Sequence, residues 1–329
     1  MKRNILFALV AAVLMILAAC GTNDSGEASE ATAADNETAS ENQETSGDAA
    51  EITVSHELGE TVVPKNPENV VVFDFGALDI LDSLGVEVGG VAKGSSLPDY
   101  LSEYNEDGYV NVGSLKEPDF EAINAMEPEL IIISGRQSAA YEDLSEIAPT
   151  IYVGVDNENY MESFTNNVNT LAEIFDKEAE AETQLAKIND KISEVQEMTS
   201  DSEETGLVVL TTGGNLSAFG AGSRFGVIHD VFGVTPADEN IETEGPHGMK
   251  VTFEYIAETN PDYLYIIDRD AVVGGDQAAS EVFNNELVDK TNAAKNDKLI
   301  YLDPAVWYLS GGGLTGTAKQ VDEVKEGLE

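Results

Sequence analysis

The chain has 329 residues, 42% of them hydrophobic, which is enough apolar material for two packed domains and rules out disorder throughout. Lys+Arg 17 against Asp+Glu 62 sets the formal net charge at −45, a field that repels nucleic acid and anionic headgroups over most of the surface. The single cysteine excludes an intramolecular disulfide and any thiolate cluster for zinc or iron–sulfur.

Residues 1–19 read as a signal peptide: Lys2 and Arg3 precede an apolar run from Ile5 to Ala19 that is too short to span a bilayer. The run closes in Leu17-Ala18-Ala19-Cys20, which resembles a bacterial lipobox, so Cys20 is the expected lipidation site and mature N-terminus. The competing reading is an ordinary signal peptide with an incidental cysteine. Residues 20–51 are then the lipidated cysteine and a disordered acidic tether, since 21–51 carry nine acids and no Lys, Arg or aromatic residue. That leaves 53 acids and 15 bases in 52–329, a net −38. The excess suits a solvated surface facing a saline or alkaline exterior; cation storage would need clustered Asp loops, which are lacking.

Residues 52–162 are expected to form an N-terminal lobe, with β-rich apolar runs at Val70 to Phe73, Leu130 to Ile133 and Thr150 to Val153. Residues 163–204 are expected to be connecting helices, because neither Gly nor Pro occurs between Gly154 and Gly206. Phe164, Val168, Leu171 and Phe175, then Leu185, Ile188, Ile192 and Val195, recur at helical spacing. Asp176, followed by Glu178 and Glu180, reads as an N-cap with an acidic first turn. The second helix is placed at about 177–199, a rod of roughly 35 Å. Residues 205–329 form the expected C-terminal lobe, with runs at Leu207 to Leu210, Tyr263 to Ile267 and Leu299 to Leu302. Strands alternating with helices give the fold class α/β, parallel sheets covered by helices.

An internal repeat relates the lobes. EPDFEAINAMEPELIIISGR, 117–136, aligns without a gap on KVTFEYIAETNPDYLYIIDR, 250–269. Phe120, Glu121, Ile123, Pro128, Ile133 and Arg136 match Phe253, Glu254, Ile256, Pro261, Ile266 and Arg269. Each copy reads as a short helix, a proline, a buried strand and an arginine at the strand's carboxyl end.

Beyond residue 20 there are only three arginines, Arg136, Arg224 and Arg269. Two end buried strands and the third follows the glycine-rich AFGAGSRFG. In open α/β sheets ligands bind beyond the strand carboxyl ends, so the three point to an anionic ligand, whose oxygens the planar guanidinium fork matches. Taken singly, each arginine serves equally well as a structural ion pair. Trp307 and Tyr308, in DPAVWYLSGGG, stand at a further strand end where they would stack on an aromatic ligand, or simply pack in the core. Lys116 is a candidate fourth cation and otherwise a surface lysine. Glu121 and Glu254 sit in the amino-terminal helices of the repeat rather than at the strand ends carrying the arginines, as matched exposed acids suited to two arginines of a symmetric partner, or simply as solvated glutamates.

PENVVVFDFGALDILDSLGV, GSLKEPDF, PELIIISGRQS, FGAGSRFGVIHDVFGV, NPDYLYIIDR and WYLSGGG resemble, along essentially the whole mature chain, the iron–siderophore-binding lipoproteins of ABC importers, and within them the petrobactin-binding branch of Gram-positive bacteria. The resemblance implies two Rossmann-like lobes joined by a single long rigid helix, the class III periplasmic-binding-protein architecture. It implies a ferric catecholate ligand held by Arg136, Arg224 and Arg269, with Lys116 as accessory. It also implies that Glu121 and Glu254 engage an ABC permease that works with its ATPase. The expected protein is a monomer on the extracytoplasmic face of a Gram-positive membrane, with no cofactor of its own, iron being held by the siderophore. Other cargoes remain open: a hydroxamate siderophore, haem or cobalamin. His56, His229 and His247 lack metal-ligand spacing. An extracellular hydrolase is disfavoured, since there is no G-x-S-x-G elbow and GGNLSAFGAG lacks a phosphate-loop ending.

Overall fold

The computed structural model describes residues 50–241, 245 and 247–329; the signal peptide, Cys20 and the tether up to residue 49 lie outside them. The first elements form an antiparallel hairpin, β1 (Glu51–His56) and β2 (Gly59–Pro64). Glu51, taken above as the end of the tether, is already a strand residue.

The first lobe holds β3 (Val70–Val72), α1 (Phe75–Ser83), β4 (Gly90–Val91), β5 (Val110–Asn111), α2 (Phe120–Met126), β6 (Leu130–Ile133), α3 (Tyr141–Ser145) and β7 (Thr150–Tyr152). Its sheet runs β5-β4-β3-β6-β7, all parallel. The β3 and β6 side chains are all buried, which is why these strands read as continuous apolar runs. Two helices follow, α4 (Tyr160–Ile174) and α5 (Glu178–Thr199). Their buried faces carry the anticipated Phe164, Val168 and Leu171, then Leu185, Ile188, Ile192 and Val195. Asp176 is not an N-cap. It sits in the left-handed region with φ 52 between the helices, its carboxylate accepting from Lys65 at 2.8 Å and Asn66 at 2.5 Å.

The second lobe holds β8 (Thr205–Thr212), β9 (Asn215–Phe219), α6 (Val227–Asp230), β10 (Thr235–Pro236), β11 (Met249–Val251), α7 (Phe253–Thr259), β12 (Tyr263–Asp268), α8 (Asp270–Val273), α9 (Ala279–Val282), α10 (Asn292–Lys295) and β13 (Leu299–Leu302). Its sheet runs β11-β9-β8-β12-β13, with β10 also on β8. The expectation of a parallel sheet is corrected here: β9 is antiparallel to both β8 and β11. Gly213 and Gly214, with φ 54 and 73, close β8 onto β9 in a two-residue hairpin; two positive φ values are the mark of the type I′ turn, whose twist matches that of the strands.

With β10 set aside, both sheets read third, second, first, fourth, fifth in chain order. The crevice where that order reverses lies between β3 and β6 in one lobe and between β8 and β12 in the other. The repeat is equally plain in the helices. α2 and α7 start on side-chain caps, Asp119 accepting from Ala122 N and Thr252 from Tyr255 N. Both end on a left-handed cap, Glu127 and Asn260, each with φ 49, followed by a proline that cannot continue the helix.

The final helix, α11 (Leu314–Leu328), packs against α5 and α1. The last part of the segment assigned to the second lobe thus lies with the first. Asp79 of α1, fully buried, accepts from the amides of Thr315 at 3.0 Å and Gly316 at 2.7 Å, satisfying two of the unpaired donors at the start of α11.

Candidate functional site

The carboxyl ends of the switch-point strands deliver the polar groups of a single cleft. Asp74 follows β3 and caps α1, accepting from Ala77 N at 2.9 Å and from Ser134 Oγ at 2.6 Å. The side chain of Gln137 bonds Ser134 N at 3.1 Å and the Leu115 carbonyl at 2.5 Å, fixing the turn that carries Arg136. Arg224 lies in a tight turn after β9, held by Ser223 Oγ on the Gly220 carbonyl at 2.5 Å and by the Gly222 amide on Asp230 at 2.6 Å. Arg269 leaves β12 and donates through Nη1 to Thr212 Oγ1 at 2.9 Å. Thr212 in turn donates to Asp270 at 2.8 Å.

All three arginines converge on Tyr308. This residue stands in a wide π-type turn, Ala305–Leu309, a geometry frequent at functional positions. Arg136 Nη2 and Arg224 Nη2 each donate to its carbonyl at 2.6 Å, and Arg269 Nε donates to its hydroxyl at 2.8 Å. Their guanidinium carbons lie 5.9, 4.1 and 5.4 Å from the ring centroid, within cation–π range. Among the described residues every ion pair involves a lysine, and no arginine lies within 4.0 Å of a carboxylate.

Like charges in one place leave electrostatic traces. Burial, reinforced by the Arg136 charge, lowers the Arg224 pKa from 12.5 to about 10. Burial pushes the Tyr308 phenol up, but the hydrogen bond from Arg269 and the charges of Arg224 and Arg269 outweigh it, and the net shift is downward. The arrangement has the chemistry of an anion-binding site: among the described residues, the hydrogen-bond partners of the three guanidinium groups are neutral oxygens of Tyr308 and Thr212.

The cleft has two connected chambers. One, of about 460 Å³, contains Arg224 and is walled by Tyr152, Val155, Tyr160 and Val227; the other, of about 760 Å³, contains Arg269 and the serines 95, 96 and 114. Arg136, Lys116 and Tyr308 line both. Both volumes fall in the range of small-molecule sites. Lys116 is exposed at the junction. Trp307, also in the wall, is only 3% exposed and donates its indole N–H to Glu323 at 2.8 Å, so it packs behind the site and is poorly placed for stacking. His247 lies in the wall of the first chamber. Glu121 and Glu254 stand exposed in the first turns of α2 and α7 and line neither chamber.

Residues 70–306 match the profile of the periplasmic binding protein family. The chain belongs to that family. It is 46% identical to the petrobactin-binding protein YclQ of Bacillus subtilis, covering 100% of both chains. It is 35% identical to the ferric-anguibactin-binding protein FatB of Vibrio anguillarum, over 84% of this chain and 88% of that one. The crystal structure of YclQ superposes with a TM-score of 0.83 at 51% identity, over 85% of this chain and 99% of that chain. The periplasmic catecholate-siderophore-binding protein VctP of Vibrio cholerae superposes at 0.78 with 36% identity, over 84% and 100%. The two α/β lobes with a helical connection are thus the family's architecture, and these relatives are binding proteins.

Proposed function

We propose that the protein is a lipid-anchored solute-binding protein that captures a ferric catecholate siderophore of the petrobactin type and delivers it to an ABC permease with its ATPase. The observation that carries this reading is the convergence of Arg136, Arg224 and Arg269, from both lobes, on one tyrosine with no carboxylate counter-charge among the described residues. A ferric tris-catecholate centre carries about three negative charges and a ferric hydroxamate none, so three unpaired guanidinium groups favour the former. The net charge of the chain opposes approach of such a ligand from a distance; attraction is confined to the cleft, where low dielectric strengthens short contacts. Relatives named for petrobactin and catecholate siderophores support the same ligand class.

In this reading Lys116 assists at the junction, Tyr308 presents its face and hydroxyl to the ligand, and Trp307 backs it. The iron is cargo, held by the siderophore, and the protein contributes charge and shape rather than catalysis. Cys20 anchors a monomer on the extracytoplasmic side, and Glu121 and Glu254 meet arginines of the permease. Titration of the purified protein with ferric petrobactin, a ferric tris-catecholate and a ferric hydroxamate tests the ligand class. Submicromolar binding of the first two alone is expected, and selective binding of the hydroxamate overturns it.

A further inference from the structure

Tyr308 serves three arginines at once, so whatever fixes its turn fixes the receptor. Behind the cleft, a buried set of polar groups reaches that turn from the first lobe. Asp79 of α1 accepts from the Thr315 and Gly316 amides of α11 and from Ser83 Oγ at 3.2 Å. The Tyr100 hydroxyl lies 3.3 Å from the Asp79 carboxylate and 3.0 Å from Ser310 Oγ. Ser310 Oγ donates to the Ala305 carbonyl at 3.0 Å, a bond that spans the wide turn carrying Tyr308. None of the three lines either chamber. The fit around Asp79 is close: a Cβ on Gly316 would meet the Ser310 carbonyl at 3.0 Å and the Tyr100 hydroxyl at 3.0 Å.

We propose that Asp79, Tyr100 and Ser310 are positioning residues for ligand capture. They fasten the Tyr308 turn to the first lobe, so that Arg224 and Arg269 of the second lobe close on a fixed point and the three guanidinium groups stand at one spacing before ligand arrives. The inference rests on the ferric-siderophore reading. Other charged or titratable neighbours of the set are Lys319, whose amine lies 5.8 Å from the Tyr100 ring centroid, Asp303, whose charge acts on Tyr100 and whose carboxylate accepts from Ala305 N at 2.9 Å, and Tyr160, buried against Thr317 and Gln320 of α11. Burial raises the pKa of Asp79 against the lowering effect of the Gly316 and Thr315 amides, in keeping with a group built into the packing rather than exposed for exchange.

The test uses Tyr100→Phe and Ser310→Ala, each of which removes one hydroxyl with little change of shape, and Asp79→Asn as the stronger lesion. Two quantities are read on the full protein: affinity for ferric petrobactin, and the ionisation of Tyr308, taken as the phenolate absorbance of each variant minus that of the same variant carrying Tyr308→Phe. Expected are a roughly tenfold loss of affinity, a Tyr308 titration displaced upward toward an ordinary phenol, and a nearly unchanged melting temperature for the two hydroxyl variants. Unchanged affinity with an unchanged Tyr308 titration overturns the inference, as does an affinity loss that only tracks a fall in melting temperature. Failure of the wild type to bind any ferric catecholate overturns the ligand reading and, with it, this one.

Discussion

Arg224→Met separates a binding arginine from a structural one, because the two roles demand opposite changes in stability. Lowering of the Arg224 pKa from 12.5 to about 10 means that the folded state holds this charge at a cost of about 3 kcal/mol, an upper figure because water reaches the cleft. The sign follows: at neutral pH the side chain is charged in both states, and the cost is relieved only as pH rises through 10. Methionine keeps the stem packing and removes this cost, which is already net of the opposing hydrogen bond to Tyr308. Discounted for solvent screening, a net gain of about 1 to 2 kcal/mol raises the melting temperature by about 2 to 8 °C. The same substitution removes a charge-assisted contact to the ligand of about 1.5 to 3 kcal/mol, a loss of roughly 10- to 150-fold in affinity. Calorimetric melting and titration on one preparation read both. A variant that melts several degrees lower and binds normally refutes the reasoning.

Gly76→Ala places a methyl 2.5 Å from the Gly311 carbonyl; the clash outweighs the helix-propensity gain of about 1 kcal/mol and leaves a net loss of about 1 to 2 kcal/mol by denaturant titration. Glu121→Ala with Glu254→Ala leaves ligand affinity unchanged and abolishes uptake by intact cells, and normal uptake removes their docking role. Burial raises the pKa of Glu323 above 4.5, against the lowering effect of the Trp307 indole N–H. The folded state therefore takes up this proton before the unfolded chain, and the stability of wild type relative to Glu323→Gln rises as pH falls toward 4.5. The emission of Trp307, the sole tryptophan, follows the same titration in wild type and not in the variant.

A strand buried on both faces was legible because nothing interrupts its apolar run, Leu130–Ile133; Leu299–Leu302, an edge strand with Tyr301 exposed, was legible from its β-rich composition and also has the anticipated limits. The repeat was legible because cap, buried isoleucine and proline recur at one offset, and Ile123 and Ile256 are both fully buried. Asp176 misled because an aspartate before an acidic helical turn has the pattern of a cap, while its actual partners, Lys65 and Asn66, are more than a hundred residues away. The hairpin at Gly213-Gly214 has a local signal, the glycine pair, but alternation of apolar strands with helices points equally to parallel pairing. The three arginines were found by their rarity and placement. What joins them was not, since a shared backbone carbonyl at Tyr308 leaves no mark in the residue pattern. Nor does a run of side-chain bonds linking positions 79, 100 and 310, whose adjacency depends on α11 returning to the first lobe.

The central claim is that Arg136, Arg224 and Arg269 form one receptor for the anionic ferric centre. The most direct measurement is a crystal structure of the protein with ferric petrobactin. Chelate oxygens within hydrogen-bond distance of all three guanidinium groups, above Tyr308, are the expected result. A chelate seated elsewhere, with the arginines still bonded only to Tyr308 and Thr212, would contradict the account.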